Sequence, residues 1–585
     1  MTYTNKYIAV NTGATNSCPW QSIRVSTAIS GDTSSEQSFS RALAWLQKCH
    51  QDHKACGDLR TGPLPDRVLD LGSGGFNKNR AVKLYETRNE LANYTCLSHR
   101  WGMPQPLTTS SDTLEDRKAG IPWDVLPRTF QDAITFTRRL KIRYLWIDSL
   151  CIIQNDVGDW QRQSSKMPSI YENSYLTLAA TWSDTSTGGC FSQASSAYRA
   201  RELTVADRRG NSHKIFVRRH LPHWLMADPR YGLRDQTAEF PILGRAWVLQ
   251  ERLLSPRILH FGRHELIWEC IEGAACECSF LDHLEDKYHD KLIHHENLLR
   301  VGNGLLQSLE RDSVQRAGGG ECWRTLVTRY SRMGLTYETD KLPALSGLAK
   351  QMNRVTEDTY VAGLWKRSLP IDLLWKVDKP QYPLPKWRAP SWSWVSVKSS
   401  VYYGNELADT CEPRQHLRIL MAIQVPVGEN DMGEISAAFL VVSAQLCPAD
   451  LAVYTPRVGA TLSEHDLFVD GHRICSDPNS YTATGLFGAQ EFEVKLDTLL
   501  PPTTRCREFS DCSYKRSSRK VFLMRVAELS HYEHSLILSC IDPVKNLYER
   551  IGIVSEHKSR GPRANQIQLP WANQKKCLTS TITLV

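Results

Sequence analysis

Four side chains able to do chemistry stand in or directly after short apolar runs: His99, Asp148, Cys151 and Glu251. An imidazole whose reference pKa lies near neutrality suits general acid–base work, and a carboxylate can stabilise developing positive charge. Cys151 becomes a nucleophile if an imidazole, here His99, lowers its pKa. Around these four stand groups that could hold a ligand: Ser98, Arg100 and Trp101 beside His99, Gln154 after Cys151, and Arg245 and Gln250 beside Glu251. Each has a plainer reading. Asp148 could cap the turn after its strand, Cys151 could be packing, and Arg245 with Glu251 could pin a helix as an ion pair.

The elements that must position them can be read from periodicity. Tyr144–Ile147 is a short apolar run ending on Asp148, and Trp160, Ser164, Met167 and Tyr171 follow at helical steps. Tyr175–Ala180 then reads as a second buried strand. Upstream, the strand from Tyr94 breaks into a polar turn at Ser98, and Phe130, Ala133, Ile134, Thr137 and Leu140 stripe a helix ending in basic residues. Strand, helix, strand, helix, strand predicts an α/β fold: a parallel sheet with helices on both faces and a ligand crevice at the strands' C-terminal ends. Further on, the pattern gives a helix over Arg245–Leu254 and a hairpin of Arg257–Phe261 with Glu265–Cys270.

A chain of 585 residues exceeds one core, and composition shifts divide it. We expect a weakly structured extension over 1–39, the α/β domain over 40–280, a mainly helical region over 281–405 and an antiparallel β-rich module over 406–585. The net charge of +8, spread without a long basic block, gives no indication of nucleic acid binding. No apolar run approaches the roughly 20 residues of a membrane span. Without a secretory pattern at the start, the 17 cysteines read as reduced thiols of a cytoplasmic protein.

Two cysteine groups invite a metal reading. Cys49, His53 and Cys56 fall at i, i+4 and i+7 of a helix predicted over Ser40–Cys56, whose apolar spacing is Leu43, Trp45, Leu46 and Cys49. They could hold zinc if a fourth ligand came from elsewhere; thiols packing a helix is the plainer account. Cys270, Cys276, Cys278 and His283 lack the usual C-x2-C or C-x4-C spacing. No residue is assigned as a metal ligand. The basic run Lys515–Lys520 reads as a solvated loop.

Three blocks together carry a resemblance: YTCLSHRWG at Tyr94–Gly102, LWIDSLCIIQND with MPSIY within Leu145–Tyr171, and RAWVLQERLLSPRILHF at Arg245–Phe261. In order and spacing they resemble the fungal heterokaryon incompatibility (HET) domain. Trp323–Ala349, Tyr360–Trp375 and Arg388–Val397 are similar to the continuation in large members. The resemblance implies non-self recognition and programmed cell death, and a flavodoxin-like core distantly similar to Toll/interleukin-1 receptor (TIR) domains. Several TIR-type domains cleave NAD with a helix glutamate. Members commonly read W-x-x-E after the WID strand, where this chain has Trp160-Gln161-Arg162-Gln163. The Gln163 amide can bond a ribose hydroxyl but supplies no negative charge. Glu251 is a carboxylate that could take that part.

Three functions therefore stand open: a cell-death effector, a biosynthetic enzyme using the same scaffold on a small organic substrate, and an NAD glycohydrolase. No cofactor is firmly implied, and NAD enters only as a substrate. Expected partners are a small-molecule or nucleotide ligand and a protein partner or second copy.

Overall fold

The computed structural model describes residues 8–12, 20, 24–25, 29–57, 61–72, 81–103, 105, 107–221, 223, 239–281, 290–308, 318–404, 413–456, 464–469, 472–476, 492–498, 514–529, 531–557 and 577–585. The chain divides into two compact units, Met1–Leu299 and Arg300–Val585.

The first unit is built on an eight-stranded sheet of β1 (Arg67–Asp70), β2 (Lys83–Glu86), β3 (Tyr94–Ser98), β4 (Tyr144–Ile147), β5 (Leu176–Ala179), β6 (Arg257–Phe261), β7 (Leu266–Cys270) and β8 (Gly273–Cys276). Its order is β8-β7-β6-β5-β3-β4-β1-β2. The four central strands β6, β5, β3 and β4 run parallel, as the alternation of strands and helices predicts. On one margin β7 pairs antiparallel with β6, as the predicted hairpin requires, whereas the antiparallel β8 beyond it and β1 and β2 on the other margin correct the expectation of a parallel sheet. The sheet is mixed. A tight turn returns the chain from β6 to β7, with Gly262 N–H on the Glu265 carbonyl at 3.1 Å, and such short links permit only antiparallel pairing.

Helices α1 (Glu36–Asp52), α2 (Arg128–Arg139), α3 (Val157–Glu172) and α4 (Ala246–Leu254) cover the sheet. Side chains alternate across a strand, and β3 shows the division. Thr95 meets Thr137 of α2 at 2.8 Å, whereas Tyr94 on the opposite face donates to the Ile170 carbonyl of α3 at 2.6 Å. Phe136 of α2 lies edge-on to Phe39 of α1 and to Phe261 of β6, so α1 and α2 share one face. On the other face, Tyr171 of α3 packs against Trp146, and Ser255 after α4 bonds Thr177 of β5 at 2.7 Å.

Helix α1 begins at Glu36 with Ser35 as its side-chain cap, four residues before the predicted start. It buries Phe39, Ala42, Leu46 and Cys49 at steps of three and four, whereas Leu43 is exposed. It also ends at Asp52, so His53 is its C-cap and Cys56 lies in the following turn rather than on the helix. Beside the sheet, Ser212–Arg219 pairs antiparallel with Arg201–Ala206 and with Ile8–Thr12.

The second unit joins helices Gly318–Tyr330 and Pro343–Thr356 to a ten-stranded, mainly antiparallel sheet. The strands of this sheet, among them Ile435–Pro456, Tyr514–Leu529 and Tyr532–Asp542, fall within the stretch expected to be an antiparallel β-rich module. Lys515–Lys520 is part of the second of these, paired along Ile435–Pro456, and not a loop. Backbone pairing along Ile435–Pro456 holds this run as a strand despite its charges, and a long-range pairing of that kind leaves no mark in local composition. Trp323 and Trp394 both donate indole N–H to the Gly363 carbonyl at 2.9 Å. A Cβ on Gly363 would sit 2.8 Å from Trp394 Nε1, so only glycine fits there. No helix among the described residues is long and apolar enough to cross a membrane.

Candidate functional site

Parallel pairing sets Leu97 of β3 opposite Ile147 of β4, so the residues that follow leave the same sheet edge. There Nδ1 of His99 lies 3.8 Å from Oδ1 of Asp148. Asp148 Oδ2 accepts the Trp101 indole N–H at 2.9 Å, and Oδ1 accepts the Ser149 N–H at 2.7 Å. Asp148 thus opens the short helical turn Asp148–Cys151 and also faces His99. The cap position belongs to Ile147 and no side chain caps this turn, so Asp148 is not the cap that the plainer reading expected.

His99 is 3% exposed and lies edge-on to Phe130. Burial pushes its imidazole down to about 4, against the pull of Asp148 and with the help of the Arg245 charge. At neutral pH the ring is uncharged, which fits a base or a hydrogen-bonding group rather than a proton donor. Among the described residues neither ring nitrogen, nor the hydroxyl of Ser149, has a hydrogen-bond partner. Gly102 holds the turn after Trp101 with φ of +71°, and a Cβ there would meet the Thr185 backbone at 2.8 Å.

Glu251 reaches the same edge from α4. Its Oε2 accepts the Ser98 hydroxyl at 2.6 Å, and the Tyr171 hydroxyl bonds it too. Burial pushes this carboxyl up to about 7, opposed by Ser98, the Arg245 charge and Tyr171. The Arg245 guanidinium itself donates to the His99 carbonyl at 2.6 Å. The three sequence blocks therefore meet: Ser98, His99 and Trp101 from the first, Asp148 and Tyr171 from the second, Arg245 and Glu251 from the third.

Other candidates take different places. Arg100 is exposed and pairs with Asp184 at 3.1 Å. Gln154 donates to the Asp148 and Ile152 carbonyls, stitching its own turn. Gln163 is buried and donates to Asp66 Oδ2 at 2.9 Å. Gln250 is fully buried in α4. Burial pushes the Cys151 thiol up to about 12, so it is protonated at neutral pH and unsuited to be a nucleophile.

Sequence reasoning named Tyr171 only as a helix-face residue; its position on the inward stripe of α3 was the available signal. Arg67, which donates to the Cys151 carbonyl at 2.8 Å and to Asp159, left no local signal because its partners are 84 and 92 residues away. The first thiol group does find company. Cys49, His53, Cys56 and Cys270 bring their ligand atoms within 4.8 Å of one another. Cys276 and Cys278 instead gather with His223 and Glu265, and His283 lies outside the described residues.

Residues 94–251 match the family model described as heterokaryon incompatibility protein (HET), so a HET domain is present in that segment. Comparison with curated proteins and with solved structures gives no match.

Proposed function

We propose that the chain is a HET-type effector of non-self recognition and cell death, acting through a small-molecule or nucleotide ligand bound beside His99, Asp148 and Trp101. The single observation that carries this is the meeting of His99, Asp148, Arg245 and Glu251 from three distant blocks at the end of parallel strands, where open α/β sheets bind ligands. The central strand order, with the first parallel strand β3 between β4 and β5, supports a flavodoxin-like core. A neutral buried imidazole lacking partners gains most from a ligand that offers hydrogen bonds. Expression in a filamentous fungus should arrest growth, and Asp148→Ala should relieve the arrest at equal protein level. Normal growth with the wild-type chain shown to be folded overturns the proposal.

NAD hydrolysis is the second reading, favoured by Asp148, whose side chain keeps 22% of its surface exposed. A carboxylate there can stabilise the oxocarbenium-like ribose as the nicotinamide bond breaks and water adds. Glu251, bound to Ser98 and only partly ionised at neutral pH, is the weaker candidate. Incubating the purified chain with NAD tests this: free nicotinamide above a buffer blank supports it, and none removes it.

A further inference from the structure

We propose that Cys49, His53, Cys56 and Cys270 form a structural zinc site that ties the end of α1 to the end of β7. Cys49 sits in the last turn of α1, His53 caps that helix, Cys56 lies in the next turn, and Cys270 closes β7. Three thiols and one imidazole are a closed structural zinc set, bound by zinc as a tetrahedron with S···S and S···N edges of about 3.5–3.8 Å. All four ligand atoms already lie within 4.8 Å of one another, and His53 Nδ1 is 3.2 Å from Cys270 Sγ. Gathering them into the tetrahedron needs shifts of about 1 Å or less.

The surroundings suit a metal more than an apolar core. The three thiols are at most 4% exposed, whereas His53 reaches the surface and leaves an entry route. The turn is held from outside: Arg257 donates to the carbonyls of Cys56 at 2.9 Å and Gly57 at 2.7 Å, and Glu272 accepts the Ala55 N–H. Such second-layer contacts orient ligands. Three thiolates and an imidazole leave zinc with one excess negative charge. The fully buried Lys291, whose ammonium donates to the Arg252 carbonyl at 2.7 Å, feels Glu269 most strongly and then the thiols of Cys270 and Cys56, so positive charge stands on that side of the group. The second group, around Cys276 and Cys278, is already knit together, with His223 Nε2 3.0 Å from Glu265 and the Cys278 N–H on Glu265 at 2.8 Å. It carries no such proposal.

The site stands apart from the functional reading above, and its test does not use activity. Full-length protein produced with zinc in the medium should contain one equivalent more zinc than the Cys270→Ser variant. Equal zinc in the two overturns the proposal. His53→Ala keeps the thiol core and changes a surface group, so it guards against misfolding of the serine variant. It should weaken zinc by more than the roughly 10–100-fold that loss of a supporting residue costs. Cobalt(II) added to the metal-free wild-type chain should give the visible bands of a tetrahedral, thiolate-rich centre, altered in His53→Ala. Their absence, or a disulfide among Cys49, Cys56 and Cys270 in freshly purified protein, also overturns it.

Discussion

His99 Nδ1 stands 3.8 Å from Asp148 Oδ1, beyond hydrogen-bond reach yet within electrostatic reach. Two parallel strands hold that spacing, and a ligand atom or a small rotation of either group can close it. Its first consequence is a titration. The folded His99 pKa, about 4, is below the reference 6.5, so the unfolded chain binds the proton more tightly. Stability is therefore lost as pH falls from 6.5 through 4, and His99→Gln removes that part of the acid loss. Imidazole NMR should place the His99 midpoint near 4; a midpoint above 6 would contradict the buried, neutral ring.

Glu251 behaves in the opposite sense. Its folded value of about 7 exceeds the reference 4.5, so the folded state holds the proton more tightly. The stability due to the neutral carboxyl is complete below 4.5 and is lost as pH rises through 7. Urea unfolding of wild type should show a decline between pH 5 and 8, and Glu251→Gln should flatten it by on the order of a few kcal/mol. Identical pH profiles for the two proteins would refute this.

Gln163→Glu places a carboxylate against Asp66, whose Oδ2 now accepts the amide at 2.9 Å. Like charges at that distance repel, softened by Lys166 on the same Asp66. Stability at pH 7 should fall by about 1 kcal/mol, with no gain in nicotinamide release from NAD. A stabilised variant would show that this amide is not held as described.

Arg252 makes a buried two-pronged pair with Glu269 at 2.6 and 2.7 Å. Arg252→Met leaves Glu269 charged and buried, which should cost about 3–5 kcal/mol. Changing both, as Arg252→Met with Glu269→Leu, should restore most of it. Equilibrium unfolding of the three variants tests the cycle, and equal losses in single and double variants would show that the pair is not the cause.

What could be read from the sequence follows from how local each signal is. The strand at Tyr94–Ser98, the helix of Phe130 and Ile134 and the hairpin after Leu254 show themselves through spacing within about a dozen residues. The antiparallel strands β1, β2 and β8 did not, because pairing direction depends on where a short strand such as Arg67–Asp70 docks. Asp148 and His99 could be proposed as neighbours because both end apolar runs. Gln163 looked alike from the sequence, yet Asp66, 97 residues earlier, holds it. Cys270 was equally hidden: it lies 217 residues from His53, and no spacing rule joins them.

The matched segment runs only from residue 94 to residue 251, whereas the sheet it belongs to continues past both flanks. Cut out alone, that piece keeps β4, β3 and β5 but loses β1 beside β4 and β6 beside β5. Two rows of backbone amides and carbonyls would then face water on strands that are almost entirely buried in the whole sheet, an invitation to stack with other copies. Any soluble fragment of this protein has to carry its borders with it, from α1 through β8, which ends at Cys276.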